Sequence, residues 1–251
     1  MKLELNKKLT EKKYWIETSV NYTMGRHNAH IEVVELIKKY IPKNNTGTCL
    51  EIGSFPGPFL ATFGDLGYEL NGIDYNPRNK LDVPLWLKKE KLKVGEFFAE
   101  DFFNFTFEKK YNVVCSFGFI EHFKNYDEVI QMHCDLNTHN GMLMITTPNF
   151  KGAFQQILHK LFDQENLKQH HIPSMDTDLW KKILIANNYE ILFSGPFGGL
   201  KFWVEKSHKR NFIQKTGLWF IERIIIRMAK IIRSDNRLYS GYLGIIARKK
   251  P

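Results

Sequence analysis

The chain has only three cysteines in 251 residues, Cys49, Cys115 and Cys134. They are far apart, and none belongs to a C-x-x-C pair, so neither a disulfide framework nor a cysteine zinc site is expected; two lie in apolar, strand-like runs and read as buried, reduced thiols of a cytoplasmic protein. No apolar run approaches the ~20 residues that span a bilayer. The opening "MKLELNKKLTEKKYW" is charged and lacks the apolar segment and small-residue cleavage site of a secretory signal. Neither phosphate-binding glycine motif is present. The dinucleotide fingerprint that could begin at Gly53 would need glycines where the chain has Phe55 and Pro58, and no G-K-[ST] follows any glycine loop. Internal repeats and low-complexity linkers are also lacking.

The charge is unevenly placed. Residues 201–251 carry 13 Lys/Arg and three Asp/Glu, so this segment alone accounts for the net +9 and the first 200 residues are close to neutral. An evenly basic nucleic-acid binder would not look like this, and nucleic acid is not the expected partner.

Ile31, Val34, Ile37 and Ile41 recur at helical spacing and predict a helix over about 28–41, closed by Pro42. From there the pattern alternates. Strand-like runs fall at 48–52, 69–74, 96–99, 111–116 and 141–147, with helical stretches at 57–66, 79–92 and 125–138. A helix at 176–187 precedes the runs at 189–193 and 242–248. Near-continuous apolar strands separated by helices mark an α/β fold, a mostly parallel sheet covered on both faces. A single domain is expected, with an N-terminal helical cap (1–45), a core (46–195), a basic insertion (196–238) and a last strand (239–251).

In such sheets ligands sit outside the carboxyl ends of the strands. "EIGSFPG" is placed there: Gly53 and Gly57 permit a tight turn, and Pro58 suits the first turn of a helix. The next strand ends at Asp74, where a carboxylate can accept both ribose hydroxyls. Glu51, just before the first glycine, would be costly opposite phosphate but suits an ammonium or sulfonium group. The ligand indicated is a nucleoside with a cationic extension.

"LEIGSFPG", "GIDYNP", "AEDFF", "VVCSFGFIEHF" and "GMLMITTPN" resemble, in order and spacing, the successive motifs of class I S-adenosylmethionine-dependent methyltransferases. The resemblance covers about 28–193. It implies a Rossmann-like, seven-stranded sheet with a final antiparallel strand, and S-adenosylmethionine as cofactor with S-adenosylhomocysteine as product. It also implies that Glu51, Gly53, Ser54 and Gly57 face the methionine part, that Asp74 with Tyr75 holds the ribose, that Asp101 and Phe102 flank the adenine, and that Ser116, Phe117 and Gly118 line the sulfonium side. Phe55 stands where the glycine motif often has a small residue, so its ring is expected to point away from the cofactor.

A hydroxyl acceptor benefits from a base, and histidine titrates near neutrality. The candidates are His171 first, then His170 and His122, on two segments expected to overhang one pocket. "GFIEH" resembles part of the E-x-x-E-H motif that, with a distant histidine, binds a divalent ion in some quinol and RNA 2′-hydroxyl methyltransferases, but Gly118 replaces its first Glu, and no metal is assigned. "TTPNF" is not the N-P-P-[YF] of base amino-methyltransferases.

Residues 217–233 form a basic amphipathic helix. Arg223, Arg227 and Lys230 fall on one face and Leu218, Ile221, Ile225, Met228 and Ile232 on the other, widened by Trp219 and Ile224. Such a helix fits an anionic membrane interface, with 211–238 as the attachment. "TTPNF…HHIPSMD…LW" followed by this helix resembles bacterial methyltransferases of surface-polysaccharide synthesis. The reading is O-methylation of a small or lipid-linked glycan acceptor at the inner face of the membrane. Its rivals are a quinone or small-phenol methyltransferase, an RNA methyltransferase, and a non-catalytic cofactor-binding domain.

Overall fold

A computed structural model describes residues 9–10, 12–26, 31–201, 203–204, 211–232 and 234–251. Its elements, in chain order, are α1 (Lys12–Thr18), α2 (Ile31–Tyr40), β1 (Thr48–Ile52), α3 (Leu60–Asp65), β2 (Glu69–Ile73), α4 (Arg78–Lys89), β3 (Val94–Phe98), β4 (Tyr111–Phe117), α5 (Tyr126–Asp135), β5 (Asn137–Pro148), α6 (Ala153–Phe162), α7 (Gln164–Lys168), α8 (Thr177–Ala186), β6 (Tyr189–Leu200), α9 (Phe212–Ile231) and β7 (Ser240–Lys249). Short 3₁₀ turns at Ile120–His122 and Ile172–Ser174 complete the set.

The strands form one sheet in the order β3-β2-β1-β4-β5-β7-β6. The first five run parallel and β7 pairs antiparallel with both β5 and β6. This is the Rossmann-like arrangement expected. Because β1 to β5 are parallel, helices must return the chain across the sheet, and they do so on both faces. Val33 and Ile37 of α2, Leu60 and Phe63 of α3, and Val83 and Leu87 of α4 pack with Cys49, Val113 and Met144. On the other face Val129 and Ile130 of α5 and Trp180 and Leu184 of α8 pack with Leu143, Ile145 and Ala247. The three cysteines are free and buried.

Several boundaries differ from the sequence pattern. The first part of the 28–41 helix, 28–30, lies outside the described residues, as does Arg233. β6 runs on through Pro196 to Leu200. It is an edge strand, so the missing proline N–H breaks no ladder on a second side. α9 starts at Phe212, because Asn211 and Gln214 form a reciprocal capping box ahead of the amphipathic stretch. In the antiparallel register Pro148 pairs with Tyr242 and Leu200 with Ser240. The β6–β7 connection that carries α9 therefore emerges at the carboxyl edge of the parallel strands.

Candidate active site

At that edge the ends of β1, β2, β3 and β4 surround a cavity lined by Gly53, Phe55, Asp74, Tyr75, Asn76, Glu100, Asp101, Phe102, Phe117, Gly118 and His122, with Thr10, Trp15, Ser19 and Tyr22 closing it from the N-terminal segment. The turn after β1 is built for close approach. Gly53 has φ +73°, and a Cβ there would stand 2.7 Å from the Phe119 ring, so both conformation and space require glycine. The amides of Gly53 and Ser54 donate to the Ile73 carbonyl at 2.9 and 3.2 Å, folding the turn over the end of β2.

Asp74 follows directly. Its Oδ1 accepts from the amide of Asn76 at 2.7 Å and its Oδ2 from that of Phe55 at 3.4 Å, which fixes the carboxylate at the cavity wall. Burial, with Asp74 and Asp101 nearby, pushes the Tyr75 phenol up. The Phe103 amide donates to Asp101 Oδ1 at 3.2 Å, while Phe102 is buried edge-on to Phe119.

Not every expected residue reaches the cavity. Ser54 is fully buried and donates to Asn79 Oδ1 at 2.9 Å, and Asn79 donates to the Phe98 carbonyl, so Ser54 ties the turn to β3. Gly57 has φ +73° and abuts Val83 of α4 and Leu60, letting α4 pack closely on the turn. Ser116 is turned away from the cavity, with Oγ 3.0 Å from His133 Nε2 of α5. Glu51 is buried beneath the turn, and its Oε2 has no hydrogen-bond partner. Desolvation first, then the charge of Asp74, raises its carboxyl well above the ordinary range, so a cation brought near would favour the ionised form.

Phe55 is among the residues that line the cavity, its ring lying parallel to the Tyr22 ring at 6.5 Å with the Arg78 guanidinium 5.3 Å from its centroid. Arg78 also donates to the carbonyls of Ser19, Val20 and Tyr22 at 3.0–3.2 Å. The bulk at position 55 thus serves as the platform on which the N-terminal segment closes over the site.

The three histidines separate. His122, in the 3₁₀ turn after β4, lines the cavity, with its ring 4.8 Å from that of Trp15. Burial lowers its pKa to about 4. His170 is buried behind it, with ring centroids 4.7 Å apart, and burial together with His122 lowers its pKa to about 3. His171 does not line the cavity; its ring lies 6.1 Å from Tyr126, and burial, then Lys124, lowers its pKa. The two segments do meet: the His171 amide donates to the Glu121 carbonyl at 2.6 Å. Glu121, the carboxylate of "GFIEH", was given no role on the sequence alone. It is fully buried, and desolvation raises its carboxyl to about 8. It converges with His122 and His170, although no metal had been expected there.

A cavity at the carboxyl ends of parallel strands, with a glycine turn under it, a fixed carboxylate after the second strand and a buried carboxylate with one unpartnered oxygen near them, suits a nucleoside bearing a positive charge. It is the arrangement of a class I methyltransferase. Residues 25–193 match the family model of the methyltransferase domain, and the chain belongs to that family. No curated protein matches the sequence significantly. Among solved structures, a Bacillus halodurans protein assigned as a methyltransferase is similar at TM-score 0.61 and 15% identity, covering 87% of this chain and 99% of that one. An S-adenosylmethionine-dependent methyltransferase of Archaeoglobus fulgidus follows at 0.55 and 19%, covering 95% and 100%. Magnesium protoporphyrin IX methyltransferase of Synechocystis, with S-adenosylhomocysteine bound, gives 0.52 and 14%, covering 87% and 80%. The protein is an S-adenosylmethionine-dependent methyltransferase with the fold these structures share.

Proposed function

We propose that the enzyme O-methylates a hydroxyl of a glycan or glycolipid precursor carried at a membrane surface. The observation that carries the membrane part is the outward face of α9. Ile225 is buried against the domain, yet Phe212, Phe220, Ile224 and Ile231 stand more than half exposed, beside Trp219, Ile226 and Met228. Arg223, Arg227 and Lys230 are exposed among them, with the Arg223 guanidinium 3.9 Å from the Trp219 ring centroid. Aromatic, aliphatic and basic side chains on one face of a helix suit burial at the headgroup boundary. No helix among the described residues is long and apolar enough to cross a membrane.

The donor supplies a methyl group on a sulfonium with a good leaving group. The chain's own residues bind and align. In this reading Asp74 accepts the ribose hydroxyls, Glu51 provides negative charge beside the methionine part, Asp101 and Phe102 flank the adenine, and Phe117 and Gly118 border the sulfonium. Tyr22, Phe55 and Trp15 exclude water, which supports alignment of acceptor and methyl. His122 is the candidate histidine that faces the cavity, and it takes the role first given to His171.

The wall near His122 supports a second acceptor. Trp15, Phe103, Phe119 and Phe123 outnumber the polar Thr10 there, and a planar quinol or phenol would fit such a slot. Incubating membranes and cytosol from the source cells with methyl-labelled S-adenosylmethionine tests the assignment. Label in acid-labile lipid-linked glycan supports the first reading, label in the neutral quinone fraction the second, and label confined to RNA contradicts both.

A further inference from the structure

We propose that Arg78 is a positioning residue for the cofactor: by clamping the turn at 19–22 it holds the N-terminal wall of the cavity shut and sets how long the nucleoside stays bound. The inference rests on the reading that this cavity holds the nucleoside.

Arg78 opens α4. A cation in the first turn of a helix faces the positive end of the helix dipole and is disfavoured there, so its placement calls for partners. Nε donates to Asp82 Oδ2 at 2.6 Å, Nη1 to the carbonyls of Ser19 and Val20 at 3.2 and 3.0 Å, and Nη2 to that of Tyr22 at 3.0 Å. The Tyr22 amide donates to the Ser19 carbonyl at 3.0 Å, so the guanidinium grips a closed turn. A planar fork of fixed donors serves three carbonyls at once, which an ammonium on a flexible stem cannot match.

Two links join this clamp to the nucleoside. The first is the turn between β2 and α4. Asp74 Oδ1, the candidate ribose acceptor, takes the Asn76 amide at 2.7 Å; Asn76 Nδ2 donates to Ser19 Oγ at 2.6 Å, and Asn76 Oδ1 accepts from the Arg78 amide at 3.0 Å. The groups that receive the ribose and the groups that hold the wall thus belong to one turn, 74–78. The second link is the wall itself. Ser19, Tyr22 and, just before them on α1, Trp15 line the cavity. Further along, Arg26 pairs with Asp65 at 2.6 Å and Glu90 at 2.8 Å, which anchors the segment beyond the cavity. Lifting the 19–22 turn, as a departing nucleoside requires, breaks the three carbonyl contacts of Arg78 and the Asn76–Ser19 bond.

Stopped-flow tryptophan fluorescence with S-adenosylhomocysteine, on the full chain and on Arg78→Ala and Arg78→Lys, tests the clamp. Dissociation should be about tenfold faster in both variants, with association within about threefold of the parent. Lysine keeps the charge, so its failure to rescue separates the fork from charge alone. A merely structural role would lower the melting temperature of the ligand-free protein and leave dissociation unchanged. Hydrogen exchange at 12–22 gives a second readout: bound S-adenosylhomocysteine should slow exchange there in the parent and much less in the variants. Unchanged dissociation in a folded Arg78→Ala, or full rescue by lysine, overturns the clamp and leaves the nucleoside site standing. A parent that binds no nucleoside in calorimetry overturns the site reading and the clamp with it.

Discussion

Replacing Asp74 by alanine should weaken binding of S-adenosylhomocysteine by about two orders of magnitude. The carboxylate is held by the Asn76 and Phe55 amides, so its position costs little further ordering when a ribose arrives. Each hydrogen bond from a ribose hydroxyl to a charged acceptor contributes about 1.5–3 kcal/mol. Two such bonds come to ~3–6 kcal/mol, and we take about 4 kcal/mol. Removing Asp74 also removes a negative charge that opposes ionisation of Glu51, which returns part of the loss. A net ~3 kcal/mol corresponds to roughly 150-fold in Kd. Asp74→Asn keeps an oxygen for the Asn76 amide but loses the charge and one acceptor, and should cost about tenfold. Calorimetry with S-adenosylhomocysteine reads both variants, with thermal melts as the control for folding. Affinity within twofold of the parent in a folded Asp74→Ala would show that the ribose is not held there, and the placement of the whole nucleoside would fall with it.

Other perturbations probe separate parts of the account. Gly53→Ala combines a left-handed backbone with a 2.7 Å approach to Phe119; a cost of ~2 kcal/mol should lower the melting temperature by about 4–8 °C, and an unchanged melt would refute the strain. His122→Ala should reduce turnover with the true acceptor while leaving nucleoside affinity within about threefold, whereas His171→Ala should leave turnover near the parent value; the reverse pattern in steady-state kinetics would restore His171. His133 is fully buried with a pKa lowered to about 4 by desolvation. The unfolded chain therefore binds the proton more readily than the folded one, so this group's contribution is intact above about pH 6.5, falls as pH drops toward 4, and reaches roughly 3 kcal/mol of loss. Urea melts at several pH values should show a shallower acid slope in His133→Gln, and equal slopes would contradict the assignment. For α9, Phe220→Glu with Ile224→Glu should abolish flotation with anionic liposomes, whereas Ile225→Glu should destabilise the fold, because Ile225 is buried against the domain. Attraction of Arg223, Arg227 and Lys230 to headgroups, ~1 kcal/mol each, should make flotation salt-sensitive.

The sheet was legible because its strands are short apolar runs set off by helices with a 3.6-residue period, and the glycine turn was legible because Gly53 and Asp74 follow strand ends. Side-chain direction was harder to read. Ser54 and Ser116 sit in the correct motifs, but their hydroxyls are taken by Asn79 and His133, partners 25 and 17 residues away that no local pattern reveals. The N-terminal contribution was missed in detail because α1 has only seven residues, too few for a periodic signal; Trp15 in an otherwise charged opening was the one available hint. Glu121 was given no role because a motif comparison asked which ligand Gly118 lacks, whereas burial asks what satisfies the carboxylate that is present. For α9 the sequence assigned the apolar face to lipid. Packing uses the Ile225 side of that face for the domain and leaves Phe220, Ile224 and Ile231 outward, a division that depends on where the helix lies against the sheet.

The central claim is that one cavity transfers a methyl group to an acceptor that α9 brings within reach at a membrane. Its most direct measurement compares the parent with Phe220→Glu/Ile224→Glu, using methyl-labelled S-adenosylmethionine and membranes from the source cells, after both proteins are shown to bind S-adenosylhomocysteine equally. The account predicts label in the solvent-extractable fraction with the parent and at least tenfold less with the variant. Equal labelling by both, or label that appears only in the aqueous fraction, would contradict it.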